Sequence, residues 1–383
     1  MSDLALVLLG AGDSSRFKLK CKKQWIRCEN KPLWLYVAEQ FKSFYKFKKI
    51  VIVSHKNEIN LMKKFADFEF VEGGNSRQES LKNAIEKIKT SYVLVSDIAR
   101  ACIKKEFIKE IVSYINKADS IAPYIKVSDT VVYNNETLNR DEIKLIQTPQ
   151  LSKTSVLKVA LNQNKIFTDE SSAIRSIGKK VIYIEGKKEH YKLTFTEDLK
   201  ELNCLKPPSR EILCGIGFDI HPFKKGIPMF LGGVKIKDDL GFKGHSDGDV
   251  AIHSIIDALL GAAGFGDIGE LFPDNDKRYK NIDSKILLKS VKDILDNTGF
   301  EIVNIDLTII AQKPKISPFK DKIKKTLSQV LKIDRSKINI KATTAEKLGF
   351  IGREEGVAVQ SVANLRYFDW TKEIRKKDED INY

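Results

Sequence analysis

The stretch "LKPPSREILCGIGFDIH" (residues 205–221) divides the chain into two folds. Pro207 and Pro208 remove two backbone donors and end whatever element precedes them, and a new apolar, strand-like run begins at once. At 383 residues the chain exceeds the size at which one core usually stops growing. Length and punctuation together predict one domain over 1–208, a second over 209–371, and a charged tail over 372–383. Upstream, the β-branched runs "LALVLLG", "KKIVIVSH", "FEFVEGG" and "SYVLVSD" alternate with helical spacing over 76–89 and 104–116, which predicts a mostly parallel sheet covered by helices, a Rossmann-like α/β domain. "SDTVVYNNETL" is polar and hairpin-like and predicts a β-arm. Downstream the order is strand, strand, helix, helix, strand, helix, strand, strand, a smaller α/β or α+β domain.

Composition narrows the class. With 42% apolar and 31% charged residues the chain is globular rather than disordered. "LALVLLG" is too short to span a bilayer and lacks the flanks of a signal peptide, so it reads as a buried strand of a cytoplasmic protein without membrane attachment. Five widely spaced cysteines without a C-x-x-C pair predict reduced thiols rather than a disulfide frame or thiolate metal site. The net charge of +15 is concentrated in residues 1–208, where 37 Lys and Arg face 25 Asp and Glu. No basic run is interleaved with stacking aromatics, which argues against nucleic acid; small polyanionic substrates would gain from the same field.

Three of the five histidines, His221, His245 and His253, fall within one short window. Asp219 and His221 sit two apart on a predicted strand and point to one face. His253 lies on the helix opening after "GHSDGD", where Ser246, Asp247 or Asp249 can cap. A strand histidine is commonly satisfied by a backbone carbonyl, but three N/O ligands with a fourth tetrahedral position open describe a catalytic zinc site.

The surrounding motifs, "GIGFDIHPF", "LGGVKI", "GHSDGDVAIHSIIDALLGAAGFGDIGELFPD", "IDLTIIAQKPK" and "KATTAEKLGFIGREEG", resemble 2-C-methyl-D-erythritol 2,4-cyclodiphosphate synthase over nearly all of 211–366. The resemblance implies an intramolecular attack of a 2-phosphate on a β-phosphorus, expelling CMP and closing an eight-membered ring. It assigns Zn²⁺, or another divalent ion, to Asp219, His221 and His253, and Mg²⁺ or Mn²⁺ to Glu346. Thr343 and Thr344 would orient the diphosphate, with His245 and Ser246 on a covering loop. Asp267 and Gly269 would meet the ribose, and Ala311, Pro314 and Lys315 the cytosine.

In the first half, "LGAGDSSRF" offers Gly10 and Gly12 of a G-x-G-x-x-G, but Ser15 stands where the third glycine belongs and no P-loop G-K-[ST] follows. Arg16 and Lys23 close behind suggest a triphosphate held by backbone amides and two cations. "LGAGDSSRFKLKCKKQW", "EGGNSRQESLKNAI", "VLVSDIAR", "IQTPQ", "TDESSAI" and "HYKLTFTEDL" resemble 2-C-methyl-D-erythritol 4-phosphate cytidylyltransferase across 3–202, a nucleotidyltransferase that moves CMP from CTP and releases pyrophosphate. The resemblance implies that Arg16, Lys23 and Lys192 offset transition-state charge, and that Gly10, Ala11, Gly12, Gly74 and Ser80 bind CTP. Asp97 would hold Mg²⁺ and nucleotide; Thr130, Arg140 and Thr148 would contact methylerythritol phosphate. The family usually reads P-A-A-G, P-K-Q and D-A-A-R-P where this chain has "LGAG", "KKQ" and "DIARA". These changes alter loop stiffness and remove no assigned cation or carboxylate.

Together the halves imply a bifunctional enzyme of isoprenoid-precursor synthesis. Two alternatives stay open: a first half acting on another polyol phosphate such as ribitol 5-phosphate, or one half serving as an inactive assembly module. Relatives of the first half are dimers and of the second trimers with sites between subunits, which implies a homo-oligomer that closed symmetry would complete as a hexamer.

Overall fold

The computed structural model describes residues 3–244 and 246–374; His245 and 375–383 of the charged tail lie outside the described residues. The described residues form two compact units, one of residues 3–208 together with 369–374, the other Ser209–Phe368. Among the described residues no helix is long and apolar enough to cross a membrane.

The first unit is built on an eight-stranded sheet. Its strands are β1 (Leu4–Leu9), β2 (Lys49–Ser54), β3 (Glu69–Glu72), β4 (Tyr92–Asp97), β5 (Ser120–Lys126), β8 (Lys144–Ile146), β9 (Gln150–Lys153) and β10 (Val181–Glu185); β6 (Val131–Tyr133) and β7 (Glu136–Leu138) form a separate hairpin. All six residues of β1 are buried, as expected of a central strand covered on both faces. Ala5, Val7 and Leu9 share a core with α3 (Arg77–Glu86), α5 (Thr154–Leu161) and α6 (Glu170–Ser176), while Leu4, Leu6 and Leu8 alternate to the opposite face. β1 pairs in parallel with β2 on one side and β4 on the other. The chain thus runs outward from β1 through β2 to β3, then returns across β1 to β4. That reversal opens a crevice at the carboxyl ends of β1 and β4, the usual ligand position in such sheets.

The predicted arm is the β6–β7 hairpin. Asn134 and Asn135 both take positive φ (50° and 65°), the backbone of a two-residue turn that matches strand twist. One expectation fails: Cys102 and Cys204 are joined in a disulfide, whereas Cys21, Cys28 and Cys214 form none. The pair is separated by 102 residues, so spacing gave no hint that the fold would bring the loop after Ala101 against the segment after the 3-10 turn Thr196–Glu201. The first unit also takes in 370–374, which are helical. Trp370 is buried there and its Nε1 donates to the Arg27 carbonyl at 2.7 Å.

The second unit has a five-stranded sheet, ordered β14 (Leu240–Phe242), β11 (Leu213–Lys225), β17 (Gly356–Tyr367), β15 (Phe300–Ile310), β16 (Ile338–Thr343), with β12 (Met229–Leu231) and β13 (Val234–Lys237) as a hairpin. Helix α7 (Val250–Ala263) lies on β11 at very short range. A methyl added at Gly217 would stand 1.9 Å from the Ser254 carbonyl oxygen, and one at Gly215 2.1 Å from that of Ala258. The glycines of "GIG" therefore let the helix settle on the strand. Asp249 caps α7, accepting from Ile252 N at 3.1 Å, and the same carboxylate accepts from Gly232 and Gly233 N at 2.8 and 2.6 Å. On the other face of β11, Ile216, Phe218 and Ile220 are exposed.

Candidate active sites

In the first unit, Gly10–Gly12 leave the end of β1 and Asp97 ends β4, so both border the crevice. They line a cleft of about 440 Å³ with Arg16, Lys23, Gly74, Ser80 and Lys192. A methyl added at Gly12 would meet nothing within 4 Å. This glycine leaves room for a ligand rather than for the protein. Ser80 Oγ accepts from Gly74 N at 3.0 Å, closing the loop before α3. Asp97 is the electrostatic centre: Oδ2 accepts from Lys192 Nζ at 2.7 Å and Oδ1 from Arg77 Nε at 3.4 Å. Burial pushes its carboxyl up, but Arg77 and Lys192 beside it outweigh that and hold it well below the usual range. Lys23 is pushed down by burial, then by the nearby Lys192. Like charges crowded in a cleft are relieved by a polyanion.

A second cleft, of about 720 Å³, is lined by Arg100, Ser128, Asp129, Lys188, Tyr191 and Lys192. Lys192 borders both clefts, where it can face two phosphates in turn. Thr148 is buried, its Oγ1 accepting from Arg100 Nε at 3.0 Å; Thr130 is exposed, and Arg140, also exposed, donates to the Ser128 carbonyl at 2.8 Å. Two site residues were missed. Arg77 donates through Nη1 to Glu170 Oε1 at 2.7 Å, and Glu170 is fully buried. Burial pushes the Glu170 carboxyl up against the opposing pull of Arg77. Both lie inside motifs quoted above, yet nothing in their spacing joins residues 93 apart.

In the second unit, Asp219 and His221 point from β11 toward α7, where His253 meets them. Asp219 Oδ2 lies 2.9 Å from His221 Nε2 and 3.2 Å from His253 Nδ1, and the two ring nitrogens are 3.3 Å apart. The remaining ring atoms decide what these atoms offer. His221 Nδ1 stands 2.9 Å from the Lys243 carbonyl, which can only accept, so Nδ1 carries the proton and Nε2 a lone pair. Ser284 Oγ donates to Asp247 Oδ1 at 2.5 Å and stands 3.0 Å from His253 Nε2; a ring that donates from Nε2 to that oxygen presents its lone pair at Nδ1. Two imidazole nitrogens and the Asp219 carboxylate converge within 4.8 Å. That donor set fits a zinc-like cation, with the outer partners fixing each ring.

Ser246 stands behind His253, its Oγ 3.0 Å from Nε2. Asp257 accepts from Ile268 N at 2.8 Å, which fixes the turn carrying Asp267 and Gly269 beside α7. Thr343, Thr344 and Glu346 are elsewhere. Through the register, Asp219 faces Val359, Val359 faces Ile309, and Ile309 faces Ala342. Three strand spacings, roughly 14 Å, therefore separate the histidine cluster from the strand that ends at Thr343. There Thr344 Oγ1 donates to Glu346 Oε1 at 2.7 Å, and Ala311 N donates to the Thr343 carbonyl at 3.0 Å. Pro314 and Lys315 continue the loop that begins at Ala311, so the pyrimidine and diphosphate candidates share one corner. Glu346 and Lys347 take positive φ (49° and 65°), strain of the kind that collects at ligand sites.

A cationic nucleotide cleft and an Asp-His-His cation site define an enzyme of phosphate chemistry in two units. Residues 4–205 match the family described as 2-C-methyl-D-erythritol 4-phosphate cytidylyltransferase, and residues 212–366 the YgbB family. The chain is 56% identical to the bifunctional enzyme IspD/IspF of Aliarcobacter butzleri over 97% of this chain and 100% of that one, and 56% identical to that of a Nitratiruptor species over the same shares. The solved structure of the bifunctional IspDF from Campylobacter jejuni is 51% identical, with a TM-score of 0.87 over 97% of this chain and 100% of that chain. The chain belongs to this bifunctional IspD/IspF family: a CTP-dependent cytidylyltransferase joined to a cyclodiphosphate synthase of the methylerythritol-phosphate route.

Proposed function

We propose that the first cleft receives CTP over Gly10, Ala11, Gly12, Gly74 and Ser80, and that the second receives 2-C-methyl-D-erythritol 4-phosphate over Thr130, Arg140 and Thr148. An oxygen of the 4-phosphate attacks the α-phosphorus in line, and pyrophosphate leaves. Arg16, Lys23 and Lys192 offset the charge that builds there. Asp97 has lone pairs beyond those facing Lys192 and Arg77 with which to hold Mg²⁺. The observation that carries this reading is the convergence of Lys23, Lys192 and Asp97 where β1 and β4 end.

In the second unit Asp219, His221 and His253 hold Zn²⁺ or a similar ion, and Glu346 a second, harder one. Bound there, such cations would offset phosphate charge and polarise the phosphates they meet. Thr343 and Thr344 align the diphosphate so that the 2-phosphate oxygen reaches the β-phosphorus and CMP departs; alignment, more than any nucleophile from the protein, sets the rate. Asp267 and Gly269 take the ribose and Ala311, Pro314 and Lys315 the cytosine; His245 and Ser246 belong to the covering loop.

The roughly 14 Å between the two groups supports a site completed by a neighbouring copy. So do the exposed apolar side chains of β11 and of the arm, where Ile216 is 65% and Tyr133 65% exposed. We read the enzyme as a cytoplasmic homo-oligomer of up to six chains.

The test is pyrophosphate release by the full chain with Mg²⁺ and CTP, given either methylerythritol 4-phosphate or ribitol 5-phosphate. Release with the first alone supports the reading; release with the second alone replaces it.

A further inference from the structure

Glu58 lies on helix α2 (Lys56–Lys63) behind the nucleotide cleft, with its side chain 8% exposed. Its carboxylate accepts three hydrogen bonds from one four-residue segment. Oε1 accepts from Lys22 Nζ at 2.6 Å, while Oε2 accepts from Gln24 Nε2 at 3.1 Å and from Trp25 Nε1 at 2.7 Å. The one residue of "KKQW" that Glu58 leaves alone is Lys23. With its neighbours turned inward, Lys23 faces the cleft it lines with Arg16.

The connection continues to the glycine-rich loop. A carboxylate only accepts, so the amide nitrogen of Gln24 must face Glu58 and its oxygen must face away; that oxygen, Oε1, accepts from Ser14 Oγ at 3.1 Å. Ser14 Oγ in turn accepts from Lys23 N at 3.3 Å. Ser14 stands two residues before Arg16, in the left-handed region at φ 58°. One buried carboxylate thus reaches, through Gln24 and Ser14, both the backbone of Lys23 and the loop that carries Arg16. Lys22 takes φ −66° and ψ 143°, close to the φ that a proline ring imposes. An ion pair to Glu58 thus accompanies, at Lys22, a backbone angle that a proline ring would also allow.

We propose that Glu58 is a positioning residue of the cytidylyltransferase, fixing Lys23 and the Arg16 loop relative to each other without touching substrate. The inference rests on the reading of Arg16 and Lys23 as the cations that meet the triphosphate. Its test uses the full chain and follows pyrophosphate release, with CMP release from the second unit as an internal control. Glu58→Gln lowers kcat for pyrophosphate release at least tenfold, with KM for methylerythritol 4-phosphate changed less than threefold and cyclisation unchanged; wild-type kcat in that variant overturns the proposal. Lys22→Ala lowers kcat, whereas Lys22→Pro retains several-fold more activity than Lys22→Ala, because the ring supplies the angle that the ion pair held. Equal kcat for those two variants overturns the proposal even if Glu58→Gln does not fold. Lys23→Ala separates the two levels. If it leaves kcat intact, the reading of the cations is wrong; if it abolishes turnover while Glu58→Gln does not alter it, only the role of Glu58 is wrong.

Discussion

Arg77 divides its guanidinium between Asp97 and Glu170, so its removal leaves Asp97 to Lys192 and takes from the buried Glu170 its ion-pair partner. Breaking a buried ion pair from one side costs about 3–5 kcal/mol, and Arg77→Gln should lower the melting temperature of the first unit accordingly. The deficit has a definite pH dependence. Glu170 is already pushed up by burial and rises further without Arg77, so protonation then favours the folded state and the loss narrows as pH falls toward 5. Calorimetry at pH 7 and pH 5 decides; a deficit that widens on acidification refutes this account. His190 behaves in the opposite sense. Burial pushes it down to about 4, and neither ring nitrogen has a hydrogen-bond partner among the described residues. The unfolded chain, with a histidine pKa near 6.5, binds more protons between those two values, so stability is lost as pH drops through that window and no further below it. His190→Asn should flatten the fall in melting temperature between pH 7 and pH 5. At this scale the clustering of Asp219, His221 and His253 was legible, because a D-x-H on a strand and a histidine on the next helix carry their own geometry. Lys243, Ser284, Arg77 and Glu170 were not, because each acts through a partner more than twenty residues away.

Elements meet closely only where glycine permits, and two glycines here serve opposite ends. At Gly217 an added methyl would strike the carbonyl of Ser254, so Gly217→Ala must push α7 off β11. Overpacking of this kind costs typically 1–3 kcal/mol, occasionally more, and His253 moves with its helix; we expect a lower melting temperature and weaker zinc binding together, read by calorimetry and metal titration. At Gly12 the added methyl meets only open space. Gly12→Ala should melt as wild type does while KM for CTP rises about tenfold, the size expected from some 1.4 kcal/mol of lost binding. A variant that melts early with KM intact would mean that Gly12 serves the fold. The strands Leu4–Leu9, Lys49–Ser54, Glu69–Glu72 and Tyr92–Asp97 and the arm were readable from runs and turns, since periodicity is local; the order in which strands pair was not. The disulfide was not, because contact between Cys102 and Cys204 depends on how two loops close and not on either loop's residues.

For the whole molecule, the two activities should part company under metal control. After a chelator is added and dialysed away, Mg²⁺ alone restores pyrophosphate release, whereas CMP release returns only with Zn²⁺ or a comparable ion; recovery of both with Mg²⁺ alone would count against the assignment of Asp219, His221 and His253. Mixing tests whether the cyclase site is shared between chains. A chain lacking His253 and a chain lacking Glu346 should each be inactive in cyclisation, yet regain part of it when co-assembled, since some interfaces then pair two intact halves. Absence of any recovery in a verified mixed assembly would place the complete site within one chain.

Trp370 gives the chain an unexpected anatomy. Leu213 and Leu365 are register partners on adjacent strands, so the second unit begins and ends side by side, and residues 369–374 return to the first unit, where the indole is buried. The cyclase is therefore a guest, inserted near the tail of its host. A stop codon after Phe368 spares every cyclase residue named above, yet it strips the host of a buried aromatic, and the transferase is the enzyme that should sicken.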